Sequence, residues 1–112
     1  MEKVTHYRKI ILEAMQELVG RRPVNMPPTI ERHLIVDKEQ NHFILINAGR
    51  LPNFFKYEVI AHVQIKNGKI FILEETIDPG MFMRLEDRGI PEKDILPVYL
   101  PDFELEEELA LA

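Results

Sequence analysis

The spacing of apolar residues predicts a helix over residues 4–19. Val4, Tyr7, Ile11, Ala14, Met15 and Leu18 recur at three- and four-residue intervals and form one stripe, widened by Ile10 and Val19. Lys3, Arg8, Lys9, Glu13 and Glu17 fall off that stripe. Gly20 reads as the residue just past the helix, and Pro23 prevents its continuation. With Pro27 and Pro28 these residues make 20–28 a loop.

From residue 29 the period shortens to two. Thr29 to Val36 reads as a strand, and Asp37 to Asn41 as a polar turn. His42 to Asn47 is a second strand, whose run Phe43-Ile44-Leu45-Ile46 implies burial on both faces or a central position. Ala48 to Asn53 connects it onward. Tyr57, Val59, Ala61, Val63 and Ile65 then alternate with Lys56, Glu58, His62, Gln64 and Lys66, a half-buried strand with Ile60 interrupting its polar side. Asn67-Gly68 suits the positive-φ positions of a type I′ turn, and Lys69 to Ile77 returns as the partner strand. Asp78-Pro79 reads as an N-cap followed by proline at the first helical position. The short helix after it buries Met81, Phe82 and Leu85, and Gly89 closes it. Pro91 to Asp94 is a turn. Ile95 to Leu100 is a last short strand, held to an edge by Pro97, which has no N–H to give a ladder. The expected fold is therefore α+β: an N-terminal helix, an antiparallel β-meander of about four strands, a second short helix and a short C-terminal edge strand.

Composition narrows what such a fold does. The 112 residues fit one domain spanning 1–112. There is no Cys, Ser or Trp, which removes disulfides, thiolate metal sites, and cysteine and serine nucleophiles. No apolar run approaches the ~20 residues of a membrane span, and Met1-Glu2-Lys3-Val4 does not open a signal peptide, so a cytoplasmic location is expected. The net charge is −5 but uneven: residues 1–56 carry +3 and residues 57–112 carry −8. Asp102, Glu104, Glu106, Glu107 and Glu108 crowd five acids into seven positions. A chain of this charge is a poor lone binder of duplex DNA, because neutralising phosphates supplies most non-specific affinity. Its basic half still offers Arg8, Lys9, Arg21, Arg22 and Arg32.

No catalytic constellation emerges. His6, His33, His42 and His62 include no i, i+4 pair and no HExxH, although His42 and His62 meet if the second and third strands are neighbours. Glu74 and Glu75 are successive strand residues and point to opposite faces, so they make no acid pair of their own. Asp37-Lys38-Glu39 reads as an ordinary charged turn. The five glycines are dispersed and form no phosphate-binding loop, and the aromatic residues lack the basic–aromatic interleaving of an RNA platform. The expectation is a protein that is not an enzyme, with no catalytic residues, no cofactor and no metal site. The adjacent Phe54-Phe55 puts one ring outward, and with the apolar second strand it points to self-association, a C2 dimer being the commonest closed form.

Three ordered stretches resemble the XisI-like family, named for the controlling factor of fdxN-element excision in filamentous cyanobacteria. They are His6-Tyr7-Arg8-Lys9-Ile10-Ile11, Ala61 to Ile72 through His62-Val63-Gln64-Ile65-Lys66-Asn67-Gly68-Lys69-Ile70-Phe71, and Gly89-Ile90-Pro91-Glu92-Lys93-Asp94-Ile95. Leu109-Ala110-Leu111-Ala112 resembles the family's small-apolar ending. Phe71 stands where the family usually has Trp, Gly49-Arg50 where it usually has Gly-Trp, and the acidic run Glu104 to Glu108 where it has an Arg. The resemblance implies a part in programmed DNA excision beside a recombinase and a nuclease-like companion protein, and it brings no established catalytic residues. Two modes of action follow. In one, the chain binds the nuclease-like or recombinase partner, and the acidic segment Asp102, Glu104, Glu106, Glu107 and Glu108 meets a basic groove. In the other, it is a DNA-binding accessory factor acting at the excision site through Arg8, Lys9, Arg21 and Arg22.

Overall fold

A computed structural model describes residues 2–21, 23–101 and 103. Helix α1 (Glu2–Gly20) buries Tyr7, Ile10, Ile11, Ala14, Met15 and Leu18, the stripe read from the sequence with Ile10 added at its edge and Val4 only half-buried. It runs one residue further than expected. Gly20 lies inside the last turn and takes no left-handed conformation. The end of α1 is finished from outside: the Arg32 guanidinium, reaching over from the sheet, donates to the Leu18 carbonyl at 3.1 Å and the Arg21 carbonyl at 3.5 Å.

Four antiparallel strands follow as a meander, β1 (Ile30–Val36), β2 (His42–Arg50), β3 (Phe55–Lys66) and β4 (Lys69–Glu75). The β1–β2 turn is held by Asp37, whose Oδ1 accepts the N–H groups of Asn41 and His42 at 2.7 Å each. The His42 bond comes first among the causes that hold this carboxyl below its ordinary pKa. Asn67 and Gly68 take φ of 54° and 73°, the positive values a type I′ hairpin requires. β2 extends three residues beyond the expected Asn47 because Gly49 pairs with Ile30 and lets the β1 backbone come close: a Cβ there would lie 2.1 Å from the Thr29 carbonyl oxygen.

The chain after β4 departs from expectation at its caps. β4 stops at Glu75 rather than Ile77, and the N-cap of α2 (Met81–Asp87) is Gly80, not Asp78. The Asp78–Pro79 bond is cis. Glu75 does the work assigned to Asp78: its Oε1 accepts the Met81 N–H at 2.5 Å, satisfying a first-turn donor of α2. Gly89, at φ 96°, closes α2 as expected, its N–H reaching the Glu86 carbonyl at 2.9 Å. A 3-10 turn (Glu92–Asp94) leads into β5 (Ile95–Leu96), which pairs parallel to β4 and forms the far edge of a five-stranded sheet ordered β1-β2-β3-β4-β5. β5 is shorter than the expected Ile95 to Leu100, because the chain turns at Pro97, with Leu100 N–H bonded to the Pro97 carbonyl.

Both helices lie on one face of the sheet. Their buried residues join Phe43, Leu45, Ile60, Ala61, Val63, Ile65, Ile70 and Ile72 in one core. Arg88 of the α2 cap bonds Glu17 of α1 at 2.8 Å and ties the helices together. The Tyr7 hydroxyl donates to the buried Asp94 carboxylate at 2.5 Å, joined by the Lys3 ammonium at 3.1 Å. Burial pushes the Tyr7 phenol up to about 12, with Asp94 adding to the shift. Burial alone would raise Asp94, but the hydrogen bonds from Tyr7 and Lys3 outweigh it and hold the carboxyl below its ordinary value.

Candidate interaction surface

The opposite face of the sheet is open. Register and alternation put Ile35, Ile44, His62 and Glu74 side by side across β1 to β4 on that face; His33, Ile46 and Val59 form the next row, and Glu31, Ala48 and Tyr57 the one after. His42, Gln64 and Phe71 make the row on the other side. None of these residues belongs to the core under the helices. Ile35 is 47% exposed and Tyr57 64%, whereas Ile46, in the middle of the face, is buried.

Two irregularities decide which residues face outward. Between Leu45–Ala61 and Ile46–Val59 the register shifts, leaving Ile60 as an extra residue in β3. The unbroken alternation of Tyr57, Val59, Ala61, Val63 and Ile65 implied one common face. The bulge splits it: Ala61, Val63 and Ile65 go under the helices, Tyr57 and Val59 onto the open face, and Ile60 itself joins the core. A second shift leaves Leu73 unpaired in β4, so Glu75 is turned to α2 and Glu74 to the open face. The expectation that these two glutamates point to opposite faces therefore holds. Beside the open face, Phe54 and Phe55 are both more than half exposed, two outward rings where one was expected.

Among the polar groups, His42 and His62 do meet. Their rings approach to 3.1 Å, Nδ1 to Nε2, diagonally across β2 and β3. Burial first, and then the charge of His42, push the His62 imidazole below its ordinary pKa, against a weaker pull from Glu74. Among the described residues, no group of three or more His, Asp or Glu gathers to hold a metal ion.

On the helix side, Asn47 is the one buried amide among the described residues. Its Oδ1 accepts from Arg32 Nε at 2.8 Å and its Nδ2 donates to Glu58 Oε1 at 3.3 Å. Glu58 also meets Lys56 at 3.5 Å. This chain of polar groups borders a cleft of about 320 Å³ between the 23–30 loop and the sheet, lined by Pro23, Met26, Pro27, Asn47 and Lys56.

The basic residues named from sequence are not drawn into one patch. Arg8 is bound to the β1–β2 turn, donating to the Gln40 carbonyl at 3.0 Å and Asn41 Oδ1 at 2.9 Å. Arg21 pairs with Glu17 at 3.2 Å. Lys9 stands exposed on α1 next to Arg8, and about 20 Å of helix separates that pair from Arg21. Arg22 lies outside the described residues, as do Asp102, Glu104, Glu106, Glu107 and Glu108. The open face is what sequence reading missed. Its signal lay in the run Phe43-Ile44-Leu45-Ile46, where Phe43 and Leu45 face the helices and Ile44 and Ile46 face away.

A two-layer α+β fold with a four-strand meander, both helices on one face and the other face bare, defines the class of protein. The profile of the family described as XisI protein matches residues 1–106. The chain belongs to the XisI family. Its fold is shared by the crystal structure of a XisI-like protein from Anabaena variabilis, with a TM-score of 0.78, 24% identity and 86% of each chain covered. It is also similar to the crystal structure of the fdxN element excision controlling factor XisI from Anabaena variabilis, with a TM-score of 0.71 and 27% identity over 89% of this chain and 95% of that one. Comparison with curated protein sequences gives no match.

Proposed function

We propose that this protein is a non-catalytic controlling factor of DNA-element excision that acts by binding a protein of the excision machinery, nuclease-like or recombinase in kind. Family membership and the similarity to an fdxN element excision controlling factor support the role. The mode of action is carried by one observation: Arg8 and Arg21, two of the four residues a DNA-binding reading needs, are engaged within the fold by Gln40, Asn41 and Glu17. The acidic excess of residues 57–112 is the feature that complements a basic partner, and Asp102, Glu104, Glu106, Glu107 and Glu108 are its densest part.

The test is a tagged pull-down from the native cells with and without nuclease treatment, read by mass spectrometry. A nuclease-like or recombinase protein retained after DNA digestion supports this reading, and replacing Glu106, Glu107 and Glu108 together by Gln then weakens the retention. Recovery that requires intact DNA, together with DNA binding by the purified protein whose affinity falls as salt rises, overturns it in favour of a DNA-binding accessory factor.

A further inference from the structure

We propose that the open face of the sheet is where two copies of this chain pack against each other. The face is apolar at its centre. Ile35, Ile44, Ile46, Val59 and Tyr57 form a continuous patch over three strands, with His62 and Gln64 of β3 between it and Phe71 on β4. A sheet normally buries one face and gives polar residues to the other, so a second face of isoleucines marks an unfilled contact.

Size and charge select the occupant. Four strands at ~4.8 Å spacing and seven residues at ~3.4 Å give about 450 Å² of flat area before side-chain relief is counted. A specific interface starts at about 600 Å² per partner, within reach of such a face once Phe54 and Phe55 at its border are included. The strands place only two carboxylates on it, Glu31 and Glu74, on β1 and β4 at opposite sides of the face. Two copies therefore meet without the repulsion that the chain's net charge of −5 would otherwise impose. A basic partner finds its complement in the acidic half of the chain and none in this neutral patch. A self-complementary apolar face is what an isologous two-fold interface requires.

The test uses the purified full chain alone, without partner or DNA, so its failure leaves the reading of the excision role untouched. Sedimentation equilibrium is expected to give a dimer for the wild type. The double variant Ile35→Lys, Tyr57→Lys changes two exposed side chains and is expected to raise the dimer dissociation constant about 30-fold or more. Met83→Lys, an exposed site on α2, is expected to leave it unchanged. Because the chain has no cysteine, a single spin label is unique. A label at Gln64→Cys on the open face is expected to give a shorter distance between protomers than one at Met83→Cys on the helix side. This arm stands even if the lysine variant does not fold. A wild-type monomer, a dimer that survives both lysines, or the reverse order of distances overturns the proposal.

Discussion

The Tyr7 hydroxyl and the Asp94 carboxylate, 87 positions apart in the chain, share a 2.5 Å hydrogen bond that fastens the first helix to the turn before β5. Asp94 is buried and charged, so its partners replace the water it has lost. Tyr7→Phe removes a donor to a charged acceptor and is expected to cost about 1.5–3 kcal/mol in urea unfolding. The same pair sets an acid dependence. A carboxyl held low in the fold contributes stability that is present above its ordinary value of about 3.9 and is lost as pH falls through the folded value. Asp94→Asn is therefore expected to start less stable and to lose less than the wild type on titration below pH ~4. Parallel acid curves for the two proteins would contradict this.

His62 predicts a slope in a different range. Its imidazole is pushed down by burial and by His42, so the unfolded chain takes up a proton before the folded one does. Stability is then full above about pH 6.5 and declines as pH drops below it. His62→Gln is expected to flatten the decline between pH ~7 and ~5, measured by thermal melts across that range. Equal declines would assign the slope to other groups.

Two glycines should answer alanine in opposite ways. At Gly49 a methyl would lie 2.1 Å from the Thr29 carbonyl oxygen and 2.8 Å from the Ile30 Cα, both backbone atoms that cannot step aside. Gly49→Ala is expected to cost about 3 kcal/mol or more. At Gly20 nothing lies within 4 Å and φ is not positive, so Gly20→Ala is expected to stabilise by about 0.4–1 kcal/mol through the unfolded chain. Unfolding midpoints that move the same way for both would refute the geometry.

Asn47→Leu removes the acceptor for Arg32 Nε and the donor to Glu58. The expected loss is about 1–3 kcal/mol, because two half-buried groups each lose a hydrogen bond, while Arg32 keeps Leu18 and Glu58 keeps Lys56. Adding Arg32→Met to this variant is expected to recover part of the loss, and a double-mutant cycle reads that coupling directly.

Much of the fold was legible because local chemistry and tertiary packing agree. The 3.6-residue stripe of α1, the Asn67-Gly68 turn and the end of β5 at Pro97 each follow from a property of the residues themselves. What was not legible depended on distant partners. The end of α1 is capped by Arg32 from β1, and the start of α2 by Glu75 from β4, so the nearer candidates Gly20 and Asp78 were superseded. The open face was hidden for a related reason. Periodicity tells which residues share a side of a strand, but not whether a second layer covers that side, and a bulge changes the sharing without a mark in the hydrophobic pattern. Of the charged residues named as contacts, Arg8 and Arg21 are tied down by neighbours their sequence positions do not reveal.

The extra residue at position 60 also bears on how this strand can evolve. β3 is two half-strands of opposite polarity, Phe55 to Val59 and Ala61 to Lys66, joined by a residue that has no opposite number in β2. A homologue lacking that one codon would keep Tyr57 outside and Val63 inside, with the neighbouring hairpins in place, and would lose only an isoleucine from beneath the helices. Position 60 is thus, like Leu73 in β4, a point where relatives can differ in length within a strand, where a gap ordinarily turns every later side chain over.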